Sequence, residues 1–286
     1  MNRLPSFSSP SALAPPAEHP VEVIAGDLAT GVLVLCDHAA NTIPADYHAL
    51  GMPAAELERH IAYDIGAAPL ARRLAMRLGA PAVLTNFSRL LIDPNRGTDD
   101  PTLVMRLSDG AVVPGNARVD AVEVERRIAR FYRPYDAAIT ATIDAFFARG
   151  IAPVVLSVHS FTPVWRGWPR PWQVGILWDA DPRLAVPLIE ALRAEGDLTV
   201  GDNEPYDGAL RGDVVFRHAT VHGLANALIE VRQDLIGDDA GANAWGDRLA
   251  RVVLPLLRPV IRSGAVPHPS RTDRQGSAAA AIACAR

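Results

Sequence analysis

The sequence predicts a three-layer α/β/α protein, with helices on both faces of a mixed, largely parallel central sheet. Three observations predict it. Short apolar runs rich in β-branched residues alternate with longer stretches of helical periodicity. Strands separated by helices imply a sheet covered on both faces. No internal repeat or linker divides positions 21–264, so they read as a single domain whose 49% hydrophobic content is ample for one core.

The elements follow in order. Residues 1–20 place Pro5, Pro10, Pro15, Pro16 and Pro20 among serines and alanines, a composition that buries little and reads as a flexible tail. Strands are expected at Val32–Cys36, Ala82–Thr85, Val154–Val158, Val174–Trp178 and Ala227–Val231. Helices are expected at about 60–79, 120–149, 182–195 and 241–262. A loop with Trp165, Trp168 and Trp172 among three prolines follows the third strand and reads as a satellite hydrophobic core. Residues 265–286, polar and then alanine-rich, read as a second tail.

Composition removes several function classes. The formal charge is −4, from 28 basic and 32 acidic residues, and every basic residue is arginine. Without lysine, Schiff-base and lysine-nucleophile chemistry is excluded. Dispersed arginines on an acidic chain argue against nucleic-acid binding. Cys36 and Cys284 alone cannot build a disulfide framework or a thiolate zinc site. No run approaches the ~18 apolar residues of a membrane span, and the first residues lack the apolar core of a signal peptide. A cytoplasmic protein without membrane attachment is the expectation; oligomeric state is not legible.

Ligands of open α/β sheets gather at the carboxyl ends of strands. Two histidines fall there. His38 follows the first strand in Asp37-His38-Ala39-Ala40-Asn41, and His159 ends Val154-Val155-Leu156-Ser157-Val158-His159. Singly, each reads as a strand-capping residue; together they suit one metal ion. A third ligand is offered by Asp64, near the start of a helical run, or by Asn41. The carboxylate is the better zinc ligand, although Asp64 taken alone also reads as a helix-start residue. Glu230 sits inside the last strand, where an acid is costly unless paired or used. Strand alternation puts it on one face with Arg232, so an ion pair competes with the reading of Glu230 as general base. The segment Asn86–Arg96 holds Arg89, Asn95 and Arg96 just beyond a strand. These suit carboxylate recognition, against the alternative of a loop knit by Arg89–Asp93. Asn203, in the turn Asp202-Asn203-Glu204-Pro205-Tyr206, and His222-Gly223 read as rim. His218 and His222 lie four apart but lack the intervening glutamate of a metalloprotease helix.

These segments together resemble the N-formylglutamate amidohydrolase family. The matching pieces are Asp37-His38-Ala39-Ala40-Asn41-Thr42-Ile43-Pro44, Asp64-Ile65-Gly66-Ala67, Ser88–Arg96, Pro114-Gly115-Asn116, His159-Ser160-Phe161-Thr162-Pro163, Asn203-Glu204-Pro205-Tyr206, His222-Gly223 and Ile229-Glu230-Val231-Arg232. They span about residues 25–240. The resemblance implies a phosphorylase/hydrolase-like fold related to zinc carboxypeptidases, and a hydrolase holding one zinc ion per chain. The implied substrate is a small N-formyl or other N-acyl amino acid, N-formyl-L-glutamate first, releasing formate and the amino acid in amino-acid catabolism. Carried over, His38, Asp64 and His159 are ligands and Glu230 is the acid/base. Arg89, Asn95, Arg96, Asn203 and Arg232 are substrate-binding residues. A peptide or cell-wall amidase of the same wider class, or an inactive carboxylate-binding protein, are the alternatives.

Overall fold

Val32-Leu33-Val34-Leu35-Cys36 is the pattern of a strand with no solvent face, and all five residues are buried. In the computed structural model, which describes residues 19–273, this strand lies inside a seven-stranded sheet. Its members are β1 (Val21–Ile24), β2 (Val32–Cys36), β3 (Ala82–Thr85), β4 (Val154–Phe161), β5 (Val174–Leu177), β6 (Val200–Asp202) and β7 (Asn226–Arg232). Their spatial order is β1-β3-β2-β4-β7-β5-β6. The four central strands β3, β2, β4 and β7 are mutually parallel, while β1 and β5 pair antiparallel with their neighbours and β6 follows β5. Mixed and largely parallel, the sheet has the expected α/β class.

Helices accompany it, among them α1 (Ala67–Leu78), α2 (Ala121–Arg127), α3 (Arg133–Phe147), α4 (Pro182–Ala194), α5 (Val214–His218) and α6 (Asp239–Arg262). Alternation divides the strand side chains between two cores. Val32, Val34 and Cys36 pack with α1, α4 and α6. Leu33 and Leu35 pack on the other face with Tyr135, Ile139, Ile143 and Phe146 of α3 and with the start of α5. A third cluster, with Tyr47, Leu50, Phe87, Leu90 and Phe131, belongs to the long connections on either side of β3.

Three expectations change. The helix predicted from 60 begins only at Ala67, because Gly66 is left-handed (φ 78) and its Cα faces the Ile236 carbonyl so closely that a Cβ would lie 2.1 Å from that oxygen. The helix predicted over 120–149 is interrupted by a π-helical segment, Ile128–Tyr132, just before Pro134 near the start of α3. Proline brings no N–H and crowds the preceding turn, so the helix widens there. The tryptophan loop is a hairpin, Val164–Trp165 with Trp168–Pro169, rather than a satellite core. Arg166 and Gly167 both have positive φ, the geometry of a tight primed turn, and the hairpin projects so far that Trp168 is 78% exposed.

Residues 1–18 and 274–286 lie outside the described residues. The described part of the predicted C-terminal tail packs back on the domain: Val266 N–H donates to the Gly223 carbonyl (2.8 Å), and Arg271 bonds Asp179 and Trp178. No described helix is long and apolar enough to cross a membrane.

Candidate active site

The period of two along a strand assembles the site. Leu33, Leu35 and Asp37 point to the α3 face, as do Ser157 and His159 of β4 and Leu228 and Glu230 of β7. Register completes the alignment, pairing His159 with Glu230 and Leu35 with Ser157. His38 leaves β2 in a turn, and its carbonyl accepts the Asp64 N–H (2.9 Å), drawing Asp64 to the strand end.

His38, Asp64 and His159 are buried, with one ligand atom from each within 4.8 Å of the others. Both histidines turn Nδ1 to Asp64 Oδ2, at 3.4 Å from His38 and 2.9 Å from His159. Each Nε2 meets a further carboxylate: Asp93 Oδ1 at 2.8 Å for His38, and Asp37 Oδ2 at 3.1 Å for His159. A carboxylate that accepts Nε2–H leaves Nδ1 as the lone-pair donor, which is how outer carboxylates orient metal-binding imidazoles. The supports are themselves held. Arg89 Nη2 donates to Asp93 Oδ2 (2.7 Å), and the Tyr135 hydroxyl donates to Asp37 Oδ1.

Charge makes the same point. Asp37, Asp64 and Asp93 are buried, and Arg89 is the guanidinium among them. Three carboxylates against one guanidinium leave two negative charges, balanced by a divalent cation or by two imidazolium ions. The imidazoles respond to that demand. Burial opposes charge on His159, but hydrogen bonds to Asp37 and Asp64 outweigh it and hold its pKa well above the ordinary value. Burial and Arg89 oppose charge on His38, and Asp93 and Asp64 outweigh them in turn. The donor set therefore fits a dication such as zinc.

Glu230 stands beside this cluster, 6% exposed, with no hydrogen-bond partner for Oε2 among the described residues. Burial raises its pKa to about 7, Asp64 adding to the rise while His159 opposes it. The Glu230–Arg232 pair considered above does not form. Arg232 ends its strand and turns to Asp234 (Nε to Oδ1, 2.8 Å), and it does not line the cavity.

A cavity of about 390 Å³ opens over the cluster, with Arg89, Asn95 and Arg96 on its wall. Asn95 Oδ1 accepts the Val214 N–H (3.0 Å), so its amide nitrogen remains available as a donor. Arg96 has no acidic partner within ion-pair distance among the described residues, whereas Arg89 is committed to Asp93 and Asp64. Asn41 does not line the cavity, and its amide nitrogen donates to the Leu57 carbonyl (2.9 Å). His218 pairs with Asp136 (2.8 Å). Asn203 is also outside the cavity. Because β6 runs against the central strands, Asn203 leaves the sheet at the opposite edge. There its Oδ1 accepts N–H groups of Trp178 (2.9 Å) and Gly208 (3.0 Å). The chain then crosses the sheet face and delivers Tyr206, Asp207 and Gly208 to the cavity.

Sequence reasoning left Asp37 without a role and read Asp93 only as an arginine partner. Strand alternation was the available signal for Asp37, two residues beyond Leu35. Asp213 had no local signal. It caps α5 through Phe216 N–H (2.6 Å), lines the cavity, and burial raises its pKa to about 7.

The fold and site define a class: α/β enzymes whose sheet carries a histidine–carboxylate cluster able to hold a metal at the carboxyl ends of its strands. Within that class the chain belongs to the N-formylglutamate amidohydrolase family, whose model matches residues 30–237, and membership makes it a hydrolase acting on amides. The crystal structure of a gene product of Agrobacterium tumefaciens superposes with a TM-score of 0.78 at 35% identity, covering 84% of this chain and 95% of that one. An N-formylglutamate amidohydrolase from Ralstonia eutropha shares the fold at a TM-score of 0.62 and 23% identity, covering 85% of this chain and 99% of that one. No curated protein matches the chain.

Proposed function

We propose that the protein is a zinc-dependent amidohydrolase that cleaves the amide of an N-formyl or other N-acyl amino acid, N-formyl-L-glutamate being the first candidate. The observation that carries this reading is Glu230: a buried carboxyl with an unpartnered oxygen, raised to about 7, beside a His–Asp–His cluster. A purely structural acid would be paired, and a simple carboxylate binder has no use for a second negative group there.

His38, Asp64 and His159 would hold the ion. Zinc bound there supplies Lewis-acid activation of water and of the amide carbonyl. Glu230, as carboxylate, accepts the proton of the attacking water and then delivers it to the departing nitrogen, the role for which a pKa near neutrality is suited. Asp37 and Asp93 hold the imidazoles in one tautomer, and Tyr135 and Arg89 fix those carboxylates in turn. Arg96 and the Asn95 amide supply donors for the α-carboxylate of the amino acid.

The test is a formate- and amine-release screen over N-formyl and N-acetyl amino acids, with and without chelator. Turnover is expected for at least one N-acyl amino acid, abolished by the chelator and restored by zinc. His38→Ala should lose both metal and turnover, and a metal-loaded, active variant contradicts the ligand assignment. Because the base must be ionised, kcat/KM should rise with pH through the region of the Glu230 pKa. Glu230→Gln should lower kcat by at least about a hundredfold while retaining zinc.

A further inference from the structure

Asp213 is 3% exposed and lines the cavity, yet only one of its oxygens is engaged. Oδ1 accepts the Phe216 N–H (2.6 Å), while Oδ2 takes no hydrogen bond or ion pair among the described residues. A buried carboxylate without a cation is costly. Arg217, one turn along α5, does not relieve it. Its guanidinium bonds Asp136 (3.2 Å) and the carbonyls of Pro94 (3.1 Å), Arg96 (3.3 Å) and Gly212. Those bonds bolt the Asn95–Arg96 segment to the start of α5, and the Val214 N–H to Asn95 Oδ1 bond (3.0 Å) closes the same joint. The free amide nitrogen of Asn95 and the unpaired Arg96 are therefore held beside the free oxygen of Asp213. Donors for a carboxylate adjoin an acceptor for an ammonium.

An apolar floor links this joint to Glu230. Leu228 and Leu177 are paired across β7 and β5, both line the cavity, and both share a core cluster with Val214. Leu228 precedes Glu230 by two residues on the same face, ~7 Å along the strand, a span that suits a methylene chain. Asp207, the other acid of the wall, is taken by Arg271. Resting on the reading of the site as a metal-dependent amidohydrolase, we propose that Asp213 binds a free α-ammonium while Arg96 and Asn95 take the α-carboxylate, so that the substrate is a diamino acid acylated on its side-chain nitrogen. An acidic side chain would instead set a second carboxylate against Asp213. Burial holds the Asp213 pKa at about 7, and an ammonium against Oδ2 would favour the ionised form. In the hydrolysis, water adds to the acyl carbon and the bond from that carbon to the side-chain nitrogen breaks. One water proton passes through Glu230 to that nitrogen, giving the carboxylic acid and the free diamino acid.

The experiment compares kcat/KM of the zinc-loaded full chain for Nε-formyl-L-lysine, for 6-formamidohexanoate, which is the same chain without the α-ammonium, and for N-formyl-L-glutamate. Wild-type protein should prefer the lysine compound to 6-formamidohexanoate by at least about tenfold. Asp213→Asn, which keeps a helix cap, should bring that preference to within about threefold of unity, the loss falling on KM for the lysine compound more than on kcat. No preference in the wild type, or an unchanged preference in Asp213→Asn, overturns the proposal. A higher kcat/KM for N-formyl-L-glutamate than for the lysine compound also overturns it, while the amidohydrolase reading stands. Should no compound be cleaved, the proposed function fails and calorimetry with L-lysine and 6-aminohexanoate decides the recognition. Tighter lysine binding that depends on Asp213 supports it, and equal binding overturns it. Thermal unfolding and zinc content report whether Asp213→Asn folds; if it does not, the wild-type comparison of the three compounds decides.

Discussion

Asp213 shows how position changes the chemistry of one side chain. Its carboxyl caps α5 and faces the cavity, and burial lifts it from 3.8 to about 7. A folded-state pKa above the unfolded one means the acid costs nothing below about pH 4. The cost grows as pH rises towards 7, because the folded protein must then ionise a buried group or hold its proton. At ~1.36 kcal/mol per unit, the penalty reaches as much as about 4 kcal/mol. Asparagine caps a helix as well as aspartate does. Asp213→Asn should therefore match the wild type in thermal stability near pH 4 and exceed it increasingly towards pH 8; a difference independent of pH would show that the carboxyl is not the cause. Glu230 obeys the same physics, and under the proposed function its penalty maintains a base. A group placed for chemistry is often one the fold would be more stable without.

At the scale of elements, the loop after β6 depends on two glycines. A Cβ at Gly175 would lie 1.9 Å from the Glu204 carbonyl oxygen, and one at Gly201 would lie 2.5 Å from it. Glycine is needed there because backbone crosses directly over the sheet. Gly175→Ala should displace the 203–208 loop, and with it Tyr206, lowering both melting temperature and kcat/KM by at least about tenfold for the latter, while the His–Asp–His cluster still takes up zinc. Normal activity would mean the loop's path is not required. The same elements show what was legible locally. β2 and β3 could be read residue for residue, since continuous apolar runs of four or five β-formers have one good solution. β1 and β6 are four and three residues long, lie at the sheet edges and carry little pattern. Without β6's direction, the local sequence does not show that Asn203 anchors this loop through Trp178 and Gly208.

The whole molecule ties the cavity to its C-terminal segment. Arg271 joins Asp207, at the cavity, to Asp179 and the Trp178 carbonyl, so residues distant in sequence brace one wall. Truncation after Gly264 should lower the melting temperature and raise KM, with metal content unchanged. A truncated protein with wild-type KM would show that the brace is not needed for binding.

The sequence by itself determined the α/β class, the central strands, and the residue types that could hold a metal without cysteine. It also placed His38 just past a strand, whereas His159, expected to cap one, lies within β4, which runs on to Phe161; strand periodicity and composition are local properties, but strand length depends on pairing. Tertiary structure alone decided the rest. The carboxylates Asp37 and Asp93 became supports for the imidazoles, Arg89 was consumed by its acids, and Arg232 turned away. Asp213 came to lie without a cation beside Asn95. Each of these outcomes depends on which groups share a low-dielectric space, and chain order does not encode that proximity.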